Sequence, residues 1–401
     1  MVLGADSLRI AIAGATSLRG KDLRQWIDES GFPVGEVRLL DEELAAGTLT
    51  EVAGEPVIVQ PVEEASFERT RFVFFTGSPA FAAAHARSAQ RAGATVIDMT
   101  GSISAALGAR LWIPHLDAEL AAPPSGHADS RASIAAPSGP PSDKKSGAAG
   151  TPAGSRGDGA PFGAPSDIPS RAMAGAITVC IAPSAAAIVA CSLSAALKPF
   201  PLARLAITFF APVSDRGQPG VDELENQTVK LLSLQPMPQA VFDTQVAFTL
   251  LDRWGSGSAV SLSSIRAAIA SEVREYLAGR LPSPAITLVH APVFFGCAFS
   301  AYAEFASPAR AATAGAPATG KATEVSAPQL AARLSAAGFT VAGEDDPPLS
   351  NVSVAGESQL FVAPPARDPN ADNAYWLWGA VDNLRLTSAN ALRIAERLLV
   401  S

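Results

Sequence analysis

Residues able to do chemistry are few in this chain, and their spacing narrows what they can do. Of three cysteines and four histidines, only Cys297 and His290 stand near each other, at the two ends of His290-Ala291-Pro292-Val293-Phe294-Phe295-Gly296-Cys297. A thiol beside an imidazole suits a nucleophile with its base, because a thiolate forms where a base or cation lowers its pKa. On adjacent strands of one hairpin the two would meet. Equally, Phe294, Phe295, Gly296 and Phe299 suit a packed interior in which Cys297 is a small apolar side chain. Cys180 and Cys191 lie on an apolar strand and helix and read as core. His85 and His115 lack acidic partners at ligand spacing and read as surface or capping residues, and no cysteine or histidine spacing marks a metal site or a disulfide framework.

A second chemical feature is the turn Gly14-Ala15-Thr16-Ser17-Leu18-Arg19-Gly20. Following a short apolar strand and opening a helix, it stands where a dinucleotide fold cradles a pyrophosphate on backbone amides. Gly14, Thr16, Ser17, Leu18 and Gly20 are the candidate cofactor residues. Ser17 occupies a position where a side chain can obstruct close approach, and a turn that merely starts a helix is the alternative. Asp41, Glu42 and Glu43 follow the next strand, where a ribose or its 2′-phosphate is read. Three acids would repel a 2′-phosphate, so NAD is favoured over NADP, with weak binding of either expected; a solvated acidic loop is the other reading.

The elements that must position these residues alternate. Strands at Leu8 to Ala13, Val37 to Leu40, Arg71 to Phe75 and Thr95 to Asp98 are separated by helices at Lys21 to Ile27 and Pro79 to Ala92, as a parallel α/β sheet requires. From Ala122 to about Ala172, Ala, Ser, Pro and Gly dominate, His127 included, and such a stretch buries too little to offset its ordering entropy. It reads as a disordered insert, with a smaller flexible loop at 307–327. A second part of α+β character is expected, with strands at Ile177 to Ile181, Leu205 to Phe210, Gln245 to Leu250, Ala285 to Pro292 and Cys297 to Phe305, and helices from Ile188 and from Ile265. Trp376 and Trp378 alternate on a further strand and are expected to pack against the sheet. The segment Asp382 to Val400 has the apolar spacing of an amphipathic helix.

At 401 residues two domains are expected. A net charge of -8 with scattered basic residues argues against nucleic acid as a partner. Asp6 and Arg9 interrupt any signal-peptide core, and no apolar run is long enough to span a bilayer, so the expectation is a cytoplasmic chain.

Several segments in order resemble the aspartate-semialdehyde dehydrogenases and the related semialdehyde dehydrogenases of arginine synthesis. Gly14-Ala15-Thr16 is similar to that family's Gly-Ala-Thr-Gly loop, and Gly93 to Asp98 to its fourth-strand region. Gly217-Gln218-Pro219-Gly220-Val221-Asp222-Glu223-Leu224 resembles a segment of its second domain, Gln245 to Phe248 its Gln-Ile-Ala-Phe strand, and Val381 to Glu396 its terminal helix. The resemblance implies a Rossmann-type nucleotide-binding domain (1–121, with helix 382–401 packing back on it) and an α+β dimerisation domain with a mixed sheet (173–381), joined by the insert 122–172.

It also implies that the family's chemistry is missing. The family's nucleophilic cysteine lies in an Asn-Pro-Asn-Cys-Ser-Thr turn, matched here by Ala182-Pro183-Ser184-Ala185-Ala186-Ala187, so Ala185 stands at the nucleophile. The family's arginine and acid/base histidine align with His290 and Cys297. Its phosphate-binding arginine falls near Ser104, a glutamine near Ala211, and a Glu and Lys near Ile265, Arg266 and Ala268, so neither a carboxylate nor a lysine is kept at those positions. The implied reading is a non-catalytic binding or regulatory homologue, homodimeric through the second domain or paired with an active paralogue. The alternative is an NAD(P)-dependent oxidoreductase acting on an aldehyde or oxo group of an unidentified substrate in amino-acid biosynthesis.

Overall fold

In the computed structural model the described residues are 8–43, 47, 49–52, 55–103, 108–121, 178–306, 324–343 and 345–400. The insert 122–172 lies outside them, as does most of 307–327. Its last residues lead into a helix whose start is capped by Ser326 and Gln329.

The first domain is built on β1 (Arg9–Ala13), α1 (Leu18–Ser30), β2 (Glu36–Asp41), a small hairpin of β3 (Leu49–Val52) and β4 (Glu55–Ile58), β5 (Gln60–Pro61), β6 (Phe72–Phe75), α2 (Pro79–Arg91), β7 (Thr95–Asp98), β8 (Arg110–Leu111), α3 (Asp117–Ala121) and β9 (Val179–Ile181). Seven of these strands form one sheet in the order β5-β2-β1-β6-β7-β9-β8, with every pairing parallel. Ile10 and Ile12 pack under α1 on one face, and Ala11, Ala13, Val73 and Phe75 under α2 on the other. Burial on both faces explains why these strands are continuous apolar runs.

The domain boundary differs from the sequence expectation. Val179 to Ile181, assigned above to the second domain, inserts between β7 and β8. Three residues of Val-Cys-Ile suit a strand in either sheet, and only the pairing Val96↔Val179 decides which.

The second domain comprises α4 (Ala185–Leu197), β10 (Leu202–Ala211), α5 (Gly217–Leu232), α6 (Leu262–Leu277), β11 (Ala285–His290), β12 (Cys297–Phe305), α7 (Ala327–Ala336), β13 (Phe339–Val341), β14 (Leu360–Val362), β15 (Ala366–Arg367), β16 (Ala374–Val381) and α8 (Asn383–Val400). Its mixed sheet runs β11-β10-β12-β16-β14-β13, with β15 on β16. All thirteen residues of α4 are buried, and its alanines let it run beside α6, α7 and α8 beneath the sheet.

Gln245 to Leu250 is not a strand. Two side chains of α5 hold the segment as turns: the Gln227 carboxamide oxygen accepts from the amides of Val246 (2.7 Å) and Ala247 (3.1 Å), while Glu223 accepts from Val241 and Phe242. The backbone amides are satisfied by side chains in place of a ladder.

The terminal helix α8 packs on α1. Ala391, Leu392, Ile394, Ala395 and Leu398 join the core beneath β1, and Arg385 is ion-paired to Asp22 (3.1 Å) and to Glu29 of α1.

Candidate functional site

The glycine turn has the shape of a phosphate cradle. Gly14 has φ +95°, a conformation that disfavours any side chain, and a Cβ there would collide with the backbone of Gly77. A Cβ on Gly20 would lie 2.5 Å from the Gly14 oxygen and 2.9 Å from Ala15, so both glycines permit α1 to start against β1. The Ser17 hydroxyl, expected to obstruct the approach, is turned back into the fold. It donates to the Thr76 oxygen (2.9 Å) and accepts from the Gly20 amide (3.0 Å), capping α1. The Gly20 amide is thus taken by the cap, which leaves those of Leu18 and Arg19 as the candidate anion-facing groups of this helix start. The Leu18 side chain packs on the second-domain core.

Asp41 is largely spent within this loop: one carboxylate oxygen accepts from both the amide and hydroxyl of Thr16 at 2.7 Å, and the other from the Glu42 amide. Of the three acids, Asp41 closes β2, and Glu42 and Glu43, which follow it, are the exposed ones.

Between the two domains lies a cavity of about 220 Å3. Ala185 lines it as the first residue of α4, 7% exposed. A helix start stabilises an anionic sulfur, and here the side chain in that field is a methyl group. Ser184 caps the helix, accepting from the Ala187 amide at 3.3 Å.

Charged groups outside the family's motif positions also face this cleft. No carboxylate stands at Ile265, Arg266 or Ala268, but Ile265, Ala268 and Glu272 share the cleft-facing side of α6, as residues three and four apart on a helix do. Glu272 accepts from the hydroxyl (2.6 Å) and amide (3.2 Å) of Ser184. Burial raises its pKa, opposed by these two bonds and by Arg19. The arginines of the family's anion clamp are replaced at His290 and near Ser104, and Arg19 and Arg216, at other positions, both line the cavity. Asp215 lies beside them, open to the cleft, its carboxylate accepting from the Asn383 amide nitrogen at 2.8 Å. Desolvation raises its pKa, with Arg19 opposing. The i, i+3, i+7 pattern would have found Glu272, whereas nothing local marks Arg216, which arrives through a short 3-10 turn after β10.

The thiol and imidazole of the opening pattern do not meet. β11 and β12 flank β10 on opposite sides, with Ala211 opposite His290 and Phe210 opposite Ala298, which sets His290 and Cys297 two strand spacings, about 10 Å, apart. Cys297 is 4% exposed, and desolvation together with Asp215 pushes its thiol well above the ordinary range. His290 is fully buried between Phe242 and Trp254, its pKa lowered to about 4 by desolvation.

Burial likewise pushes the Cys180 thiol up to about 12 and raises that of Cys191. His115 is not a surface residue: its Nε2 lies 3.0 Å from the Ser192 hydroxyl, and desolvation lowers its pKa to about 4. His85 is half-buried on α2, its ring 4.8 Å from Phe81. Ala211 ends β10 in the core, and His127 and Ser104 lie outside the described residues. Trp376 and Trp378 project from the outer face of the second sheet, 48% and 40% exposed, with Tyr302 and Phe210 as ring partners. Among the described residues no three His, Cys, Asp or Glu side chains are placed to hold a metal.

Replacing Ser184 by alanine removes the α4 cap and the hydroxyl bond to Glu272 at once, while the backbone amide of residue 184 stays on the carboxylate. A loss of about 1–2 kcal/mol is expected in urea denaturation; an unchanged midpoint would show that the cap contributes nothing.

Residues 9–122 match the family model described as semialdehyde dehydrogenase, NAD binding domain. Over 399 residues the chain is 27% identical to the USG-1 protein homolog of Pseudomonas aeruginosa, covering 98% of both chains. It is 24% identical over 404 residues, again 98% of both, to aspartate-semialdehyde dehydrogenase 2 of Vibrio cholerae. The solved structure of a probable aspartate-semialdehyde dehydrogenase from Pseudomonas aeruginosa superposes with a TM-score of 0.72 at 26% identity, covering 98% of each chain. The glycine cradle and the parallel sheet are thus those of an NAD(P)-binding domain of the semialdehyde dehydrogenase kind. Both domains are matched end to end, and the chain is similar over its whole length to proteins of the aspartate-semialdehyde dehydrogenase kind.

Proposed function

We propose that this protein, a relative of the aspartate-semialdehyde dehydrogenases, binds ligands in its interdomain cleft without catalysing their reaction, acting as a binding or regulatory protein. The observation that carries this reading is Ala185 at the start of α4: the position the fold offers to a nucleophile holds a side chain with no nucleophilic atom. Neither Cys297 nor His290 replaces what is missing, since one is a buried, protonated thiol and the other a neutral imidazole enclosed by aromatic rings. Loss of nucleophile and acid/base group together leaves little transition-state stabilisation.

NAD(P), when bound, would supply a nicotinamide able to exchange hydride. The groups that would hold its phosphates are the amides of Leu18 and Arg19 at the start of α1, and the acidic Glu42 and Glu43 support NAD over NADP. We further propose a homodimer through the outer face of the second sheet, supported by the exposed Trp376 and Trp378; a mixed dimer with an active paralogue would show as co-purification. A cytoplasmic location accords with the absence, among the described residues, of any helix long and apolar enough to cross a membrane.

Glu272 favours a second reading. A carboxyl group with raised pKa, fixed by Ser184 and facing the cleft, is suited to general acid/base work, as an oxidoreductase acting on an aldehyde or oxo group of another substrate would need. Purified protein given aspartate semialdehyde, phosphate and NAD or NADP should form no reduced cofactor above a mock purification. Turnover that co-purifies with the chain would sink the non-catalytic reading, and hydride transfer to other oxo substrates, lost in Glu272→Gln, would establish the second.

A further inference from the structure

The outer edge of the first sheet is only partly paired. β2 has six residues and its outer neighbour β5 has two, and they meet only at Leu40↔Gln60 and Asp41↔Pro61. The backbone groups left over can be named. The Glu36 amide donates to the Leu8 oxygen, and the Leu40 oxygen accepts from the Gly14 and Ala15 amides, so both residues turn their backbone groups toward β1. In a strand these groups alternate from side to side, and those of Val37 and Leu39 therefore point away from β1. Both residues line a groove of about 460 Å3 along this edge.

The groove has a wall on each side of the sheet. On the α1 side stand Val57 and Ile58 of β4, and Val57 shares one apolar cluster with Val37 and Leu39. On the α2 side stand Glu63, Ala65 and Ser66, carried by the 3-10 turn Glu64–Phe67 that packs on α2. Arg38 braces this wall, donating to the oxygens of Ser66 (2.9 Å) and Glu68 (3.4 Å). An open strand edge is a template for another strand. Walled on both faces, this one admits a single extended chain and excludes the broad sheet edge of a second copy. Its charge is also defined. Glu36 is paired with Arg9 and with Arg38 (3.1 Å), whereas Glu63 is exposed and has no ion pair among the described residues.

We propose that this slot is a peptide-docking site in which an extended segment of a partner protein adds a strand beside Glu36 to Leu39. Its backbone would bond to Val37 and Leu39, its apolar side chains would lie on Val57 and Ile58, and a basic side chain would meet Glu63. Backbone pairing supplies affinity in such strand addition, and the alternate side chains supply specificity. The slot shares no residue with the interdomain cleft, so the proposal goes beyond the cleft reading and does not rest on it.

The test titrates the full chain into fluorescein-labelled Lys-Val-Lys-Val-Lys-Val, following anisotropy, with hydrogen exchange measured on the free and the peptide-bound protein. Saturable binding is expected, with slower exchange at the Val37 and Leu39 amides. The same peptide N-methylated along its backbone, which cannot pair with an edge, should not bind. Glu63→Lys should raise half-saturation about tenfold by replacing attraction with repulsion, and Ala65→Trp should abolish binding by filling the slot. Four results would each overturn the site: no saturable change at up to about 1 mM peptide, equal binding of the N-methylated peptide, unchanged exchange at Val37 and Leu39, or native half-saturation in folded Glu63→Lys and Ala65→Trp.

Discussion

Ala185→Cys should convert a protein with no accessible thiol into one with a single fast-reacting thiol. The three native cysteines are all buried, and burial pushes each thiol upward. Reaction needs both the thiolate and access, so native protein should resist a disulfide reagent until it unfolds. A sulfur at 185 differs on both counts: it would line the cleft at the first residue of a thirteen-residue helix, where the helix field favours an anion. Stopped-flow labelling should be about 100-fold faster, or more, than in native protein. Glu272, through its bonds to the adjacent Ser184, works against the thiolate, so adding Glu272→Gln should speed labelling further. Turnover of aspartate semialdehyde should still be absent, because the buried Cys297 remains where the family pattern requires a histidine. Labelling no faster than the native background would show that the cleft does not present residue 185 as a nucleophile. Dehydrogenase activity in the single variant would show that the alanine was the only missing part.

The largest stability loss is expected at Arg385. Its side chain is 4% exposed and is paired with Asp22, 14% exposed, and with Glu29, while its guanidinium lies 5.0 Å from the Trp26 ring centre. Removing one partner from a buried pair leaves an uncompensated charge, a loss of about 3–5 kcal/mol. Arg385→Met should therefore lower unfolding free energy by that amount at pH 7 and loosen α8 from α1. The sign of the pH effect follows from Asp22, whose pKa burial raises above 3.8 while Ser388 and Arg385 pull it down. An acid whose folded pKa exceeds its unfolded value binds more protons when folded, so its unfavourable contribution is absent below the unfolded pKa and complete above the folded one. Without Arg385 the folded pKa rises further. The deficit of the variant should thus be greatest at neutral pH and shrink as pH falls toward 4. Denaturant titrations at several pH values check this, and a deficit that grows toward acid would contradict the assignment to Asp22.

Local pattern carried much of the architecture. The run from Arg9 to Gly20 is strand, turn and helix in the sequence and in the fold, because a parallel strand buried on both faces must be apolar and a phosphate turn must contain glycine where backbones touch, as Gly14 touches Gly77. β12 spans Cys297–Phe305, its alternate residues buried, as period-two patterning requires. The misreadings share one cause. Val179 to Ile181 is too short to declare its sheet, and Gln245 to Leu250 has strand-like residues whose amides are claimed by Gln227 from a helix nearly twenty positions earlier. In both, partners distant in sequence settled what a local pattern left open.

Composition at a single position was enough to determine that residue 185 carries no nucleophile, since a methyl group has no lone pair in any fold. The order of framework segments likewise carried the resemblance to the semialdehyde dehydrogenases, whose NAD-binding domain model matches residues 9–122. What only the tertiary structure decided is which groups share a space. With β10 lying between β11 and β12, His290 and Cys297 are kept apart although only six residues separate them. Glu272, Arg19 and Arg216, from three different elements, are brought to one cleft. Side-chain convergence depends on how strands pair and helices cross, and that information belongs to contacts between distant residues, so no window of sequence around any one of them contains it.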